Sequence, residues 1–173
     1  MTRVANSVSI SSDDYFSLVR LLRDRAIKQP NDRAFVFLED GENQKTQLTY
    51  QQLDRRSRQI AARLQSLGLA GKRALLLYPS GLDYLAAFFG CLYGEVIAIP
   101  AYPPQNQRNS PRIQGIIRDA QPAIALTTQT LLPQMQSLLT NLQWLTTDNL
   151  EVGIESNWQQ ANIERDTIAF LQY

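Results

Sequence analysis

RALLLYPSGLDYLAAFFGCLYGEVIAIP, residues 73–100 of this 173-residue chain, is the stretch that decides the fold. Residues 73–78 form a continuous apolar run of strand length, and Pro79, Ser80 and Gly81 read as a tight turn. Pro79 and Ser80 are expected to make that turn and to cap the following helix. Residues 82–93 carry apolar side chains almost all round, with Leu85, Phe88, Phe89 and Leu92 spaced by small Ala86, Ala87, Gly90 and Cys91. Such a helix is buried on most sides. A second apolar strand, 96–100, closes the unit. Strand, helix and strand in so few residues demand a right-handed crossover and hence a parallel pair.

Working outward toward the N-terminus, Ser12, Asp13 and Asp14 offer a helix start, and Tyr15, Leu18, Val19, Leu22 and Ala26 recur at helical spacing. Pro30, Asn31 and Asp32 end that helix. Strands at 34–38 and 46–50, joined by a polar turn containing Gly41, predict a hairpin. A helix over 50–67 follows, with Leu53, Ile60, Ala61, Leu64 and Leu67 on one side and Arg55, Arg58, Gln59 and Arg63 mainly on the other. Arg55, Arg56 and Arg58 read as a solvated face, and Gly68 as the helix stop.

Toward the C-terminus, the Pro-rich loop 101–111 leads to a helix at 112–120, a strand at 123–127, a helix at 129–140 and a short strand at 143–145. Residues 146–162 are polar and irregular, with Trp158 as their anchor to the body. Residues 166–173 read as a final buried strand with Ile168, Ala169, Phe170 and Leu171 as its apolar body. The expected fold class is α/β: a mostly parallel open sheet with helices on both faces, plus an N-terminal helix and a short hairpin. No internal repeat or linker splits residues 1–173, which read as a single truncated domain.

Composition narrows the function. At 44% hydrophobic and 19% charged residues the chain is ordinary globular material, and a net charge of +1 offers no basic stripe for nucleic acid. The chain contains no histidine, so neither a Ser/His/Asp nor a Cys/His nucleophilic system can be complete within it. The single cysteine, Cys91, precludes an intrachain disulfide, which fits a reducing cytoplasm. Residues 1–12 lack the apolar centre of a secretory signal. The longest apolar stretch, 82–100, is interrupted by Asp83, Gly94 and Glu95, so no membrane span is expected.

Two apparent motifs reduce to structural readings. Residues 68–72, Gly-Leu-Ala-Gly-Lys, have a helix before and a strand after, the reverse of a phosphate loop, and Arg73 stands where a hydroxyl would be needed. They read as a helix cap and a turn. There is no Gly-x-Gly-x-x-Gly, and Ser80 lacks the flanking glycines of a nucleophile elbow. The run Pro100, Ala101, Tyr102, Pro103, Pro104 is more informative. Its prolines fix backbone angles as it leaves the carboxyl end of a strand, the side where open α/β sheets bind ligands. A rigid surface connection is the alternative reading.

Several of these segments together resemble the fatty acyl-AMP ligases, a branch of the adenylate-forming acyl ligases. They are Leu48, Thr49, Tyr50, Leu53 and the helix to Gly68; residues 73–94; Ala98 to Pro104; and Ile168, Ala169, Phe170, Leu171, Gln172, Tyr173. The resemblance implies the first part of the large N-terminal domain of an enzyme that activates a fatty acid with ATP and magnesium, forming acyl adenylate and releasing pyrophosphate. It also implies transfer of the acyl group to the phosphopantetheine arm of an acyl carrier protein, serving polyketide or nonribosomal peptide synthase modules. In that family the phosphate loop, the nucleotide contacts, the magnesium carboxylate and a mobile lysine all lie downstream of the matched segment. No catalytic or metal-ligating residue is therefore carried over. The residues expected nearest the site are Tyr173, at the strand end, and Tyr102, Pro103 and Pro104. For Tyr173 the alternative is an aromatic that simply packs in a core or interface. The other functional readings are a non-catalytic α/β binding or regulatory module, an acyl-CoA synthetase fragment, and half of a nicotinamide-dependent oxidoreductase.

Overall fold

The computed structural model describes residues 17–39, 41–42, 45–106 and 110–173. In chain order its elements are α1 (Leu18–Lys28), β1 (Arg33–Leu38), β2 (Lys45–Thr49), α2 (Tyr50–Ser66), β3 (Arg73–Leu77), α3 (Leu82–Tyr93) and β4 (Ile97–Ala101). There follow α4 (Ser110–Ala120), β5 (Ile124–Thr127), α5 (Leu132–Leu138), β6 (Trp144–Thr146) and a 3₁₀ turn, Ile154–Asn157. β1 and β2 pair as an antiparallel hairpin. The main sheet runs β4-β3-β5-β6 with every pair parallel, as the crossover at 73–100 requires.

Strand alternation sends successive side chains to opposite sides, and each side has its own helices. Ala74, Leu76, Tyr78, Ala98, Ile124 and Leu126 meet α1, α2 and α3 through Leu22, Ile60, Leu64, Ala87 and Cys91. Leu75, Leu77, Ile99 and Ala125 meet α4 and α5 through Ile113, Ile116, Met135 and Leu139. Three consecutive leucines of β3, residues 75–77, are 0% exposed, which only a strand covered on both faces can achieve. Each contributes about 2 kcal/mol through burial alone.

α2 starts with a capping box: the Gln52 amide donates to Thr49 Oγ1 (3.2 Å) and the Thr49 amide donates to Gln52 Oε1 (2.9 Å). It ends in a Schellman turn, where Leu69 N–H donates to the Leu64 carbonyl and Gly68 N–H to that of Gln65. Gly68 supplies the left-handed φ of 67° that this turn needs. The 68–72 segment is thus a cap and turn, as its order implied. α2 and α3 approach closely at Gly90, where an added Cβ would lie 2.6 Å from Ile60 Cβ and Cγ2.

Several expectations need correction. The N-cap of α3 is Gly81, and no side chain caps it, so Ser80 does not play that role. Negative charge at that helix start comes from Asp83, which pairs with Arg56. The arginines of α2 are not uniformly solvated: Arg55 is exposed, but Arg58 Nε donates to Asp54 at 2.9 Å and Arg56 reaches across to α3. Leu67 lies at the C-cap, where the chain leaves the helix, and is 43% exposed.

The final segment differs most from its sequence reading. It makes one parallel bridge, Ala98 to Phe170, and Ile168 is 59% exposed, so it is an edge segment and not a buried strand. It lies outside β4, and among the described residues no strand covers its other side. α5 is shorter than the 129–140 span because Pro133, lacking an amide hydrogen, fits only in a first turn. Helix α1 starts after Ser17, whose Oγ accepts from the Arg20 amide; the expected start at Ser12, Asp13, Asp14 and Tyr15 lies outside the described residues. No helix among the described residues is long and apolar enough to cross a membrane.

Candidate functional site

The carboxyl end of β4 opens onto a cleft of about 540 Å³. One wall is the chain leaving β4, from Pro100 to Gln105; the floor is the first half of α4, through Arg112, Ile113 and Ile116; Tyr173 forms the remaining side. The structure therefore brings Tyr102, Pro103, Pro104 and Tyr173, separated by some seventy positions in sequence, around one space.

The wall is stiff for identifiable reasons. Pro103 and Pro104 are buried and have no amide hydrogen to satisfy. The Pro104 and Gln105 carbonyls each accept from Gln134 Nε2 on α5, at 3.4 and 3.3 Å. Tyr102 is carried outward by this wall and is 60% exposed. Tyr173 lies along α4, and its hydroxyl donates to Asp119 Oδ2. That bond to a carboxylate raises the Tyr173 phenol above its usual range.

Tyr102 also borders a second hollow of about 210 Å³, shared with Tyr78, Pro79, Ser80 and Tyr84 at the end of β3. Here the Tyr78 hydroxyl pairs with Thr147 Oγ1 at 2.8 Å, and Thr127 Oγ1 donates to the Leu77 carbonyl at 2.9 Å. These bonds tie together the ends of β3, β5 and β6. Burial pushes the Tyr78 phenol well up, and it stays neutral as a structural donor.

The cleft lining combines a guanidinium (Arg112), two phenols, an amide (Gln105) and an apolar floor. This suits an anionic group attached to an apolar one. No carboxylate lines it, and no three His, Cys, Asp or Glu side chains converge among the described residues. The residues present therefore do not fit a magnesium ion, which takes carboxylate and phosphate oxygens. Sequence reasoning missed Arg112, Ile113 and Ile116. Their signal was the i, i+1, i+4 spacing directly after Pro111, which sets one helical stripe beside the proline wall.

Comparison with known proteins bears on this geometry. The family model described as AMP-binding enzyme matches residues 22–173. The chain is 37% identical to the medium-chain-fatty-acid–[acyl-carrier-protein] ligase JamA of Moorena producens, over 95% of this chain and 29% of that protein. It is 30% identical to the long-chain-fatty-acid–AMP ligase FadD23 of Mycobacterium tuberculosis, over 91% of this chain and 28% of that protein. It superposes with a TM-score of 0.87 and 34% identity on the fatty acyl-adenylate ligase of L. pneumophila, solved with acyl adenylate and pyrophosphate, over 95% of this chain and 29% of that one. The chain thus spans less than a third of the length of the relatives it matches. It belongs to the AMP-binding enzyme family, and fatty acyl-AMP ligases are among the members it resembles.

Proposed function

We propose that this chain serves a fatty acyl-AMP ligase, which activates a fatty acid with ATP and hands the acyl group to an acyl carrier protein of a polyketide or nonribosomal peptide synthase. The observation that carries the reading is the cleft at the carboxyl edge of the parallel sheet, bordered by Tyr102, Pro103, Pro104 and Tyr173, in a chain of this family. In the reaction a carboxylate oxygen bonds to the α-phosphorus of ATP as the bridging P–O bond breaks and pyrophosphate leaves. The part assigned to this chain is positional. Pro103 and Pro104 give an unyielding wall, Tyr102 and Tyr173 give flat aromatic sides, and Arg112 gives positive potential to an anionic substrate. The magnesium and phosphate contacts of such a reaction come from other segments of the enzyme, and no step through them is assigned to these residues.

The setting is the reducing cytoplasm, in keeping with a single, buried, unpaired Cys91. The 173-residue chain alone is expected to form no acyl adenylate. The test is fatty-acid-dependent release of pyrophosphate from ATP by the full-length protein. Tyr102→Ala is expected to raise the KM for fatty acid or ATP about tenfold, the loss of one good contact. Pyrophosphate release that ignores fatty acid would overturn the reading, and acyl adenylate made by the 173-residue chain itself would overturn the purely positional part assigned to it.

A further inference from the structure

The Tyr173 side of the cleft is held in place from a distance. Residues 168–173 meet the sheet through two backbone bonds, Ala98 N–H to the Ala169 carbonyl (3.1 Å) and Leu171 N–H to the Ala98 carbonyl (2.9 Å). One bridge specifies register poorly, yet register matters here. Phe170 faces Phe88 of α3, ring centroids 5.7 Å apart, while Leu171 packs with the α4 and α5 side of the core. A slip of one residue would exchange the two faces and take Tyr173 away from Asp119 and the cleft.

Upstream, an irregular strap is tied to the body by side chains. Trp158 Nε1 donates to the Tyr93 carbonyl at 2.9 Å, its ring lies 5.3 Å from that of Tyr93, and the Arg23 guanidinium lies 5.3 Å over its face. Gln65 and Gln159 exchange two bonds, of 2.9 and 3.1 Å. Glu95 Oε1 accepts from the Asn162 amide. Glu95 does this from a left-handed backbone, φ 57°, that glycine would occupy more easily. Between strap and edge, a local turn takes up the slack: Thr167 N–H donates to the Glu164 carbonyl (3.2 Å) and Glu164 N–H to Thr167 Oγ1 (2.9 Å).

We infer that Trp158 and Glu95 are positioning residues that set the register of residues 168–173 and so place Tyr173 at the cleft. The consequence for substrate binding rests on the proposed function; the consequence for register does not. Two variants test it by hydrogen exchange. Trp158→Phe keeps a ring but removes the N–H donor. Glu95→Gly removes the Asn162 acceptor while easing the left-handed backbone. Both are expected to speed exchange of the Leu171 and Ala98 amides about tenfold or more, while the Leu76 and Leu126 amides keep their protection. In the full-length protein both are expected to raise KM with kcat little changed. Unchanged exchange at Leu171 and Ala98, or equal acceleration at Leu76 and Leu126, would overturn the inference. A wild-type protein that releases no pyrophosphate would remove the proposed function, and the exchange result would still decide the register.

Discussion

Gly90 shows what one residue decides. It has no side chain because Ile60 occupies the place where a Cβ would go. Gly90→Ala is expected to destabilise the fold by about 1–3 kcal/mol through overpacking, read as a lower denaturation midpoint with an unchanged slope. The sequence showed that Gly90 belonged to a tightly packed helix, since it stood among Ala86, Ala87 and Cys91. It could not show that the neighbour would be Ile60, thirty positions upstream. Asp54 was less legible still. A carboxylate within an arginine-rich helix reads as solvated, yet Asp54 is 2% exposed. Its partners Arg23 and Tyr93 lie 31 and 39 positions away, beyond the reach of local pattern.

At the scale of elements, Asp54 joins three helices. It accepts from Arg23 on α1 (3.0 and 2.9 Å), from Arg58 on α2 (2.9 Å) and from the Tyr93 hydroxyl on α3 (3.0 Å). Asp54→Asn leaves two cations facing a neutral amide and is expected to cost about 3 kcal/mol, measured by chemical denaturation. Tyr93→Phe removes one neutral donor and is expected to cost about 1 kcal/mol. If the two losses simply add in the double variant, the network model fails, because groups sharing a bond are coupled. The elements themselves were readable wherever apolar periodicity was strong, as in α2, β3, α3 and β5. The final segment was misread because apolar residues at an edge look the same in sequence as apolar residues in a core: burial depends on what lies on the far side of the strand.

For the molecule as a whole, the parallel architecture followed from the 73–100 unit, since only one crossover hand and one strand direction satisfy it. The cleft was half legible: Tyr102, Pro103, Pro104 and Tyr173 were marked by their place at strand ends, whereas the α4 floor required the folded chain. Global stability carries an alkaline limit. Burial raises the Tyr78 and Tyr93 phenols above the ordinary value of 10.0, with Asp54 adding to the effect at Tyr93. The folded protein then holds those protons more tightly than the unfolded chain does. The stability they confer is complete below pH 10.0 and is lost as pH rises toward the folded values. Both phenols are expected to ionise in the same transition that abolishes far-ultraviolet circular dichroism. Ionisation of either while the helices persist would contradict their burial.

Cys91 is the one thiol in 173 residues, is 0% exposed, and has its ionisation suppressed by burial. An alkylating reagent therefore finds no target until α3 lifts from the sheet. Each modified molecule records one opening event, so the rate of mass gain under a large excess of reagent is a clock for how often the core comes apart.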